Sequence, residues 1–248
     1  MLKQRINNSA RQTIVKKKIL KYFKIALIII FVLLLDMYIV LSYMFNNNSF
    51  TIYLDNEYSS RRNIIMYENS ETKRQKNFLK SADFKEFSDM ALEWLPTNIN
   101  EETEGSHNGN NYIAYTFYLE NQGHETTSYN AEIAIQDCIK NIDEALRVVV
   151  YRNNLRTVYA KTSKETGSPE EGTVAFKNES IVMSERITNF DVGAIHKYTV
   201  VVFVEGNDKE CTDALIGGEI EIFMNIKEEI PPEQPIPTNL EKDFESFN

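Results

Sequence analysis

The sequence lacks the short motifs by which common catalytic sites are recognised. It contains no H-E-x-x-H, G-x-S-x-G, G-x-G-x-x-G or P-loop pattern, so nothing predicts a zinc-protease helix, a nucleophile elbow or a phosphate-binding loop. It has three histidines, His107, His124 and His196, and we interpret them as solvated side chains. We therefore predict that the chain is not an enzyme and uses no cofactor.

Acidic residues are absent from the first 24 positions, which hold eight lysines and arginines. The 21 residues from 25 to 45 follow as an apolar run whose one charge is Asp36. As a helix this run would extend roughly 31 Å, the thickness of a bilayer core. Basic residues hold their side of a span in the cytoplasm and meet anionic lipid there. The prediction is a single-pass cell-membrane protein with a basic cytoplasmic segment, residues 1–24, and an extracellular C-terminal part.

Small residues are scarce at the end of this run, and this bears on cleavage. Residues 25–35 alone have the length of a signal-peptide core, which makes a cleaved signal peptide the rival interpretation. Past Asp36, however, Ser42 is the only small residue, and no small-x-small site is present. We favour an uncleaved signal-anchor helix over residues 25–45.

Asp36 itself has two interpretations. A carboxylate near the bilayer centre costs roughly 2.5–3.5 kcal/mol on insertion scales. It either contacts a polar or basic group on another membrane helix, or it is protonated or locally hydrated in a very apolar helix. No G-x-x-x-G pattern accompanies it, so close self-packing of the helix has little support.

Basic residues are the minority after the span. That part holds 35 of the 36 acidic residues and 19 of the 27 basic ones, a net charge of −16. Such a balance argues against a nucleic-acid partner. The partners that we predict are membrane lipid and either another protein or a second copy of the chain.

The chain has two cysteines, Cys138 and Cys211. Both lie in the predicted extracellular part, where a disulfide between them is possible. It would be worth about 4 kcal/mol in the chain-entropy model. The alternative is two unrelated thiols.

Period-two alternation dominates the rest of the chain and predicts β-strands. Residues 112–120 and 129–135 are predicted to form an antiparallel pair, and Asn153-Asn154 a tight hairpin turn. Residues 197–204 are apolar on both faces, which predicts a central strand covered on both sides. Residues 220–226 are predicted to be its antiparallel neighbour.

The exceptions to this alternation lie elsewhere. Residues 1–15 are predicted to be irregular, and residues 81–94 to form a helix ended by Pro96, with Trp94 in the core. Residues 230–248 are proline-rich and then acidic, and are predicted to be disordered. The fold class that follows is mainly β: one extracellular antiparallel, jelly-roll-like β-sandwich over residues 46–229, on a single N-terminal transmembrane helix.

An acidic loop over residues 205–213 is a weak candidate for a Ca²⁺ site. It offers five oxygen-bearing side chains, Glu205, Asn207, Asp208, Glu210 and Asp213. Clustered carboxylates suit Ca²⁺, although their spacing is not that of an EF-hand. The alternative is a solvated surface loop, and no metal is predicted.

Two stretches resemble the TasA/camelysin family of surface proteins of low-GC Gram-positive bacteria. Residues 112–123, YIAYTFYLENQG, are similar to its strand and turn "tFyLkNtG", and residues 198–218 with the alternating strand that follows resemble a second block. The resemblance covers residues 112–227. It implies a jelly-roll-like sandwich, a cell-surface location, and fibre or matrix assembly by strand exchange. Members are normally cleaved and secreted, and camelysin has been assigned metalloprotease activity, but no zinc motif in this chain matches.

Together these observations favour a membrane-anchored extracellular module that binds another molecule or has a structural role in cell-surface or matrix assembly. One alternative is an extracellular metal-dependent hydrolase. Another is an accessory subunit of a membrane complex, in which the span and Asp36 would matter more than the sandwich.

Overall fold

The computed structural model describes residues 2–45, 48–55, 63–101 and 103–229. The chain divides into two compact units, Met1–Asn46 and Asn47–Asn248. The predicted disorder of residues 230–248 lies outside the described residues. The two units are described separately.

The first unit is one helix, α1, Leu2–Phe45. Its section Ile19–Val40 is long and apolar enough to cross a membrane, in agreement with the predicted anchor. The irregular segment predicted for residues 1–15 is wrong, because the helix begins at Leu2. No glycine or proline interrupts this part of the sequence, and leucine, lysine, arginine and glutamine all favour helix.

The second unit is built from β-strands joined by short turns and three 3₁₀ turns. Its strands are β1 Ser49–Asp55, β2 Ile64–Tyr67, β3 Phe78–Lys80, β4 Gly105–Ser106, β5 Tyr112–Asn121, β6 Thr127–Ile139, β7 Leu146–Arg152, β8 Leu155–Ala160, β9 Val174–Ala175, β10 Ile181–Phe190, β11 Ile195–Val204 and β12 Glu219–Glu229. The 3₁₀ turns are Leu92–Trp94, Ile142–Ala145 and Asp213–Leu215.

These strands form two sheets. The five-stranded sheet has the order β10-β6-β12-β1-β3, and the seven-stranded sheet has the order β2-β5-β11-β7-β8-β9 with β4 beside β5. One hydrophobic core draws side chains from both sheets, so they stack as a sandwich. The predicted mainly-β sandwich is confirmed. Each sheet is mixed, since β1 runs parallel to β12 and β8 parallel to β9.

The core follows from the alternation in the sequence. In β12, for example, every second side chain is buried: Ile220, Ile222, Met224 and Ile226. The residues between them lie on the other face and are partly or fully exposed. The predicted hairpin at Asn153-Asn154 is also confirmed: it joins β7 to β8, and both residues have positive φ, as a type I′ turn requires.

Two predicted strand pairings are wrong. β5 and β6 do not pair, because β5 lies between β2 and β11 while β6 lies in the opposite sheet. The buried side chain of Asn121 stabilises the connection from β5 to β6. It donates to the carbonyls of Glu125 and Phe190 and accepts from the Gly123 amide. A side chain at Gly123 would collide with Asn63. Likewise β12 pairs with β6 and β1 rather than with β11.

β11 is central, as predicted, and both of its faces are covered. Val200 and Val202 face the opposite sheet, whereas Val201 and Phe203 pack in a second apolar cluster on the outer face of the seven-stranded sheet. Residues of the segment before β4 cover that outer cluster: Met90, Leu95 and Ile99.

This covering segment replaces the helix predicted for residues 81–94. Only the 3₁₀ turn Leu92–Trp94 forms there. Phe84 and Phe87 pack in the core between the sheets, whereas Met90 packs on the outer face of the seven-stranded sheet, and one helix could not place them in both. Trp94, predicted to be in the core, is instead 72% exposed.

Candidate functional site

The outer faces of the two sheets differ in solvent exposure. The outer face of the seven-stranded sheet is covered, and Ala114, Val149, Val201 and Phe203 on it are fully buried. On the outer face of the five-stranded sheet, the side chains of β1 and β12 are partly or fully exposed. No described residue covers this surface, which makes it a candidate binding site.

Three aromatic rings lie together on this surface, which we call the aromatic face. Tyr53 in β1 is 41% exposed and Phe78 in β3 is 48% exposed, and their ring centroids lie 5.1 Å apart. Phe223 in β12 lies 6.5 Å from Tyr53 on its other side. Large apolar side chains that cluster in solvent are typical of interaction sites. No local pattern in the sequence indicates this cluster, because its three strands are far apart in the chain.

A second candidate is a hydrogen-bonded network that crosses the sandwich. The Tyr129 hydroxyl in β6 lies 2.9 Å from the Tyr198 hydroxyl and 2.6 Å from Nδ1 of His196, both in β11. Arg152 in β7 pairs with Glu185 in β10 at 3.1 Å. Tyr159 in β8 also donates to Glu185. The network therefore links five strands of the two sheets through polar groups: β6 and β10 of the five-stranded sheet and β7, β8 and β11 of the seven-stranded sheet.

His196 takes part in this network through Nδ1. The neutral Tyr129 phenol can donate to that nitrogen when the nitrogen is unprotonated. Burial, assisted by the positive charge of Arg152, lowers the pKa of His196 below its ordinary 6.5. Burial also raises the pKa of Tyr129 and of Tyr198. The phenols are neutral at pH 7, so the network contains no activated nucleophile.

This arrangement predicts a loss of stability in mild acid. Because the pKa of His196 is lower in the folded chain than in the unfolded one, its contribution is complete above about pH 6.5 and is lost as the pH falls through the folded pKa. Glu68, Glu104 and Glu120 have pKa values below 4.5, so they act at lower pH. We expect the melting temperature to fall between pH 7 and pH 5, and to fall less in His196→Gln. Equal pH dependence in the two proteins would contradict this.

Only two of the five candidate Ca²⁺ ligands in loop 205–213 belong to a carboxylate cluster in the structure. Asp208 and Glu210 join Glu170, with one carboxylate oxygen of each within 4.8 Å of the others. Glu205 lies apart from this group and accepts from the amides of Leu92 and Asn207. Asp213 begins a 3₁₀ turn and Asn207 is exposed.

A cation from the protein already lies among these carboxylates. Arg147, which is buried in β7, pairs with Asp208 at 2.8 Å and also with Glu170. Neither Arg147 nor Glu170 was predicted from the sequence, since each lies more than 30 residues from the loop. The loop stays a weak candidate for Ca²⁺.

Both cysteines are free thiols in the structure. The Cys138 thiol donates to Asp143 at 3.0 Å, and burial raises the pKa of Cys138 to about 11. Burial, together with nearby acidic groups such as Asp89, also raises the pKa of Cys211. Both thiols are therefore protonated at pH 7, and a disulfide between them stays a prediction.

Asp36 lies in α1. It lies within the apolar section Ile19–Val40. The partner contact itself stays a prediction.

The comparisons with known proteins identify no family. No family model matches the chain, and no curated protein matches it. Among solved structures, the β-glucosidase from Kluyveromyces marxianus is 11% identical with a TM-score of 0.21. The match covers 68% of this chain and only 18% of that enzyme, and at this similarity it indicates neither fold nor function. The resemblance to TasA/camelysin proteins stays a prediction.

Proposed function

We propose that this protein is a membrane-anchored binding module that presents its β-sandwich outside the cell. The observation that carries the proposal is the aromatic face, Tyr53, Phe78 and Phe223 on the uncovered five-stranded sheet. The eight basic residues among the first 24 positions support an N-terminus in the cytoplasm. Aromatic side chains supply much of the binding energy in interaction sites.

The first test addresses topology. Protease is added to intact cells that make the full chain with a C-terminal epitope tag. We expect loss of the tagged sandwich and a small protected fragment in the membrane. A tagged domain that is degraded only after the membrane is permeabilised would contradict the proposed orientation.

The second test addresses the aromatic face in the same cells. The photo-crosslinking residue p-benzoylphenylalanine replaces Tyr53 or, as a matched control, Trp94, which is exposed on the segment that covers the other sheet. We expect adducts of higher mass on irradiation at position 53 and fewer at position 94. Equal yields at the two positions would mean that the aromatic face is not the binding surface.

A further inference from the structure

We propose that the aromatic face binds a neutral carbohydrate chain. This inference rests on the proposed function and names the chemistry of its partner. It depends on three properties of the described residues: the arrangement of the rings, the polar groups beside them, and the charge of the face.

The rings provide tilted apolar surfaces instead of one flat area. Tyr53 is tilted by 49° from Phe78 and by 74° from Phe223. The three rings therefore offer both faces and edges along a line across β3, β1 and β12. A pyranose ring has a face of C–H groups that packs on an aromatic ring, and successive sugars can use successive rings. Three rings are also far less apolar surface than the core of a stable protein–protein interface contains.

Polar side chains adjoin the rings and are available for hydrogen bonds. In the strand register Asn225 lies beside Tyr53, Thr51 beside Phe223, and Glu132 beside Asn225. Within the described part of the chain, none of these three side chains has a hydrogen-bond partner. Amide, hydroxyl and carboxylate groups together can donate to and accept from sugar hydroxyls. A few such groups beside aromatic rings are the typical composition of a small-molecule site.

The charge of the face selects between carbohydrates. Glu132 and Glu221 on this surface form no ion pair within the described residues. Lys227 on the same face is paired with Asp55 at 3.8 Å, and Lys80, across from Thr51, supplies a further positive charge. An excess of carboxylates repels phosphate- or uronate-bearing polymers. A neutral polysaccharide fits both the rings and this charge.

The experiment uses the full chain in lipid nanodiscs, so that no sugar-based detergent competes. The probes are chitohexaose, cellohexaose and maltohexaose, titrated by calorimetry. We expect at least one to bind, and expect Tyr53→Ala and Phe78→Ala to weaken that binding about tenfold or more. Trp94→Ala, the exposed aromatic outside the face, should leave the affinity unchanged. Asn225→Asp should also weaken binding while leaving the rings in place.

The outcomes separate the two proposals. Failure of all three probes to bind, or binding that is unaffected by Tyr53→Ala, Phe78→Ala and Asn225→Asp, overturns the carbohydrate proposal. If the crosslinked adduct at position 53 in cells is a protein or a second copy of the chain, the carbohydrate proposal also fails, but the binding function remains. Thermal unfolding of each variant shows whether the fold is intact. If an alanine variant does not fold, the oligosaccharide affinity of Asn225→Asp decides the test.

Discussion

Replacement of Phe203 by alanine is expected to destabilise the sandwich by about 3–5 kcal/mol, much of the stability of an ordinary domain. Phe203 is 0% exposed and packs in the apolar cluster on the outer face of the seven-stranded sheet, with residues such as Met90 and Leu95. Truncation removes most of the ring and leaves a cavity that β5 and β7, paired on both sides of β11, cannot collapse to fill.

Thermal and urea unfolding of the full chain, followed by tyrosine and tryptophan fluorescence, provide the measurement. Val192→Ala is the matched control, because Val192 is exposed in the turn before β11. This variant should unfold at the same temperature and urea concentration as the wild type. A Phe203→Ala protein that unfolds at nearly the wild-type temperature but loses self-association would instead make this part of β11 an intermolecular surface.

Replacement of Arg147 by methionine is expected to cost a similar amount, about 3–5 kcal/mol, because it leaves a buried charge unpaired. The side chains of Arg147 and Asp208 are 3% and 2% exposed. Without the guanidinium, Asp208 is a buried carboxylate next to Glu170 and Glu210. The loops 163–173 and 205–213, which both contact this cluster, should become more susceptible to proteolysis.

A second substitution tests whether the loss of stability in Arg147→Met comes from the unpaired charge or from lost packing. Asp208→Asn keeps an oxygen that can accept from the Glu210 amide and removes the unpaired charge. The double variant Arg147→Met with Asp208→Asn is therefore expected to recover much of the loss. As a control, Arg186→Met removes an exposed ion pair with Glu229 and should change the unfolding temperature little. If the double variant is no more stable than Arg147→Met alone, lost packing rather than unpaired charge is the cause.

Part of the fold could be read from local patterns. The apolar run predicts a membrane-spanning helix, alternation predicts the inward faces of β5 and β12, and Asn153-Asn154 predicts the β7–β8 hairpin. Each of these depends on residues close together in the chain. The doubly apolar run in β11 also predicts its central position, because a strand that is apolar on both faces needs cover on both.

The sequence by itself thus determined the apolar helix long enough to span a membrane, the β class, the buried faces of β5 and β12 and the tight hairpin at Asn153-Asn154. Only the tertiary structure decided which sheet receives β5 and β6, what covers Phe203, why Trp94 is exposed, and how Arg147 meets Asp208. It also created the aromatic face, whose rings come from β1, β3 and β12. The physical reason is that a side chain's period specifies the face that is buried, whereas the choice of strand neighbour depends on packing between segments far apart in the chain, which no local pattern records.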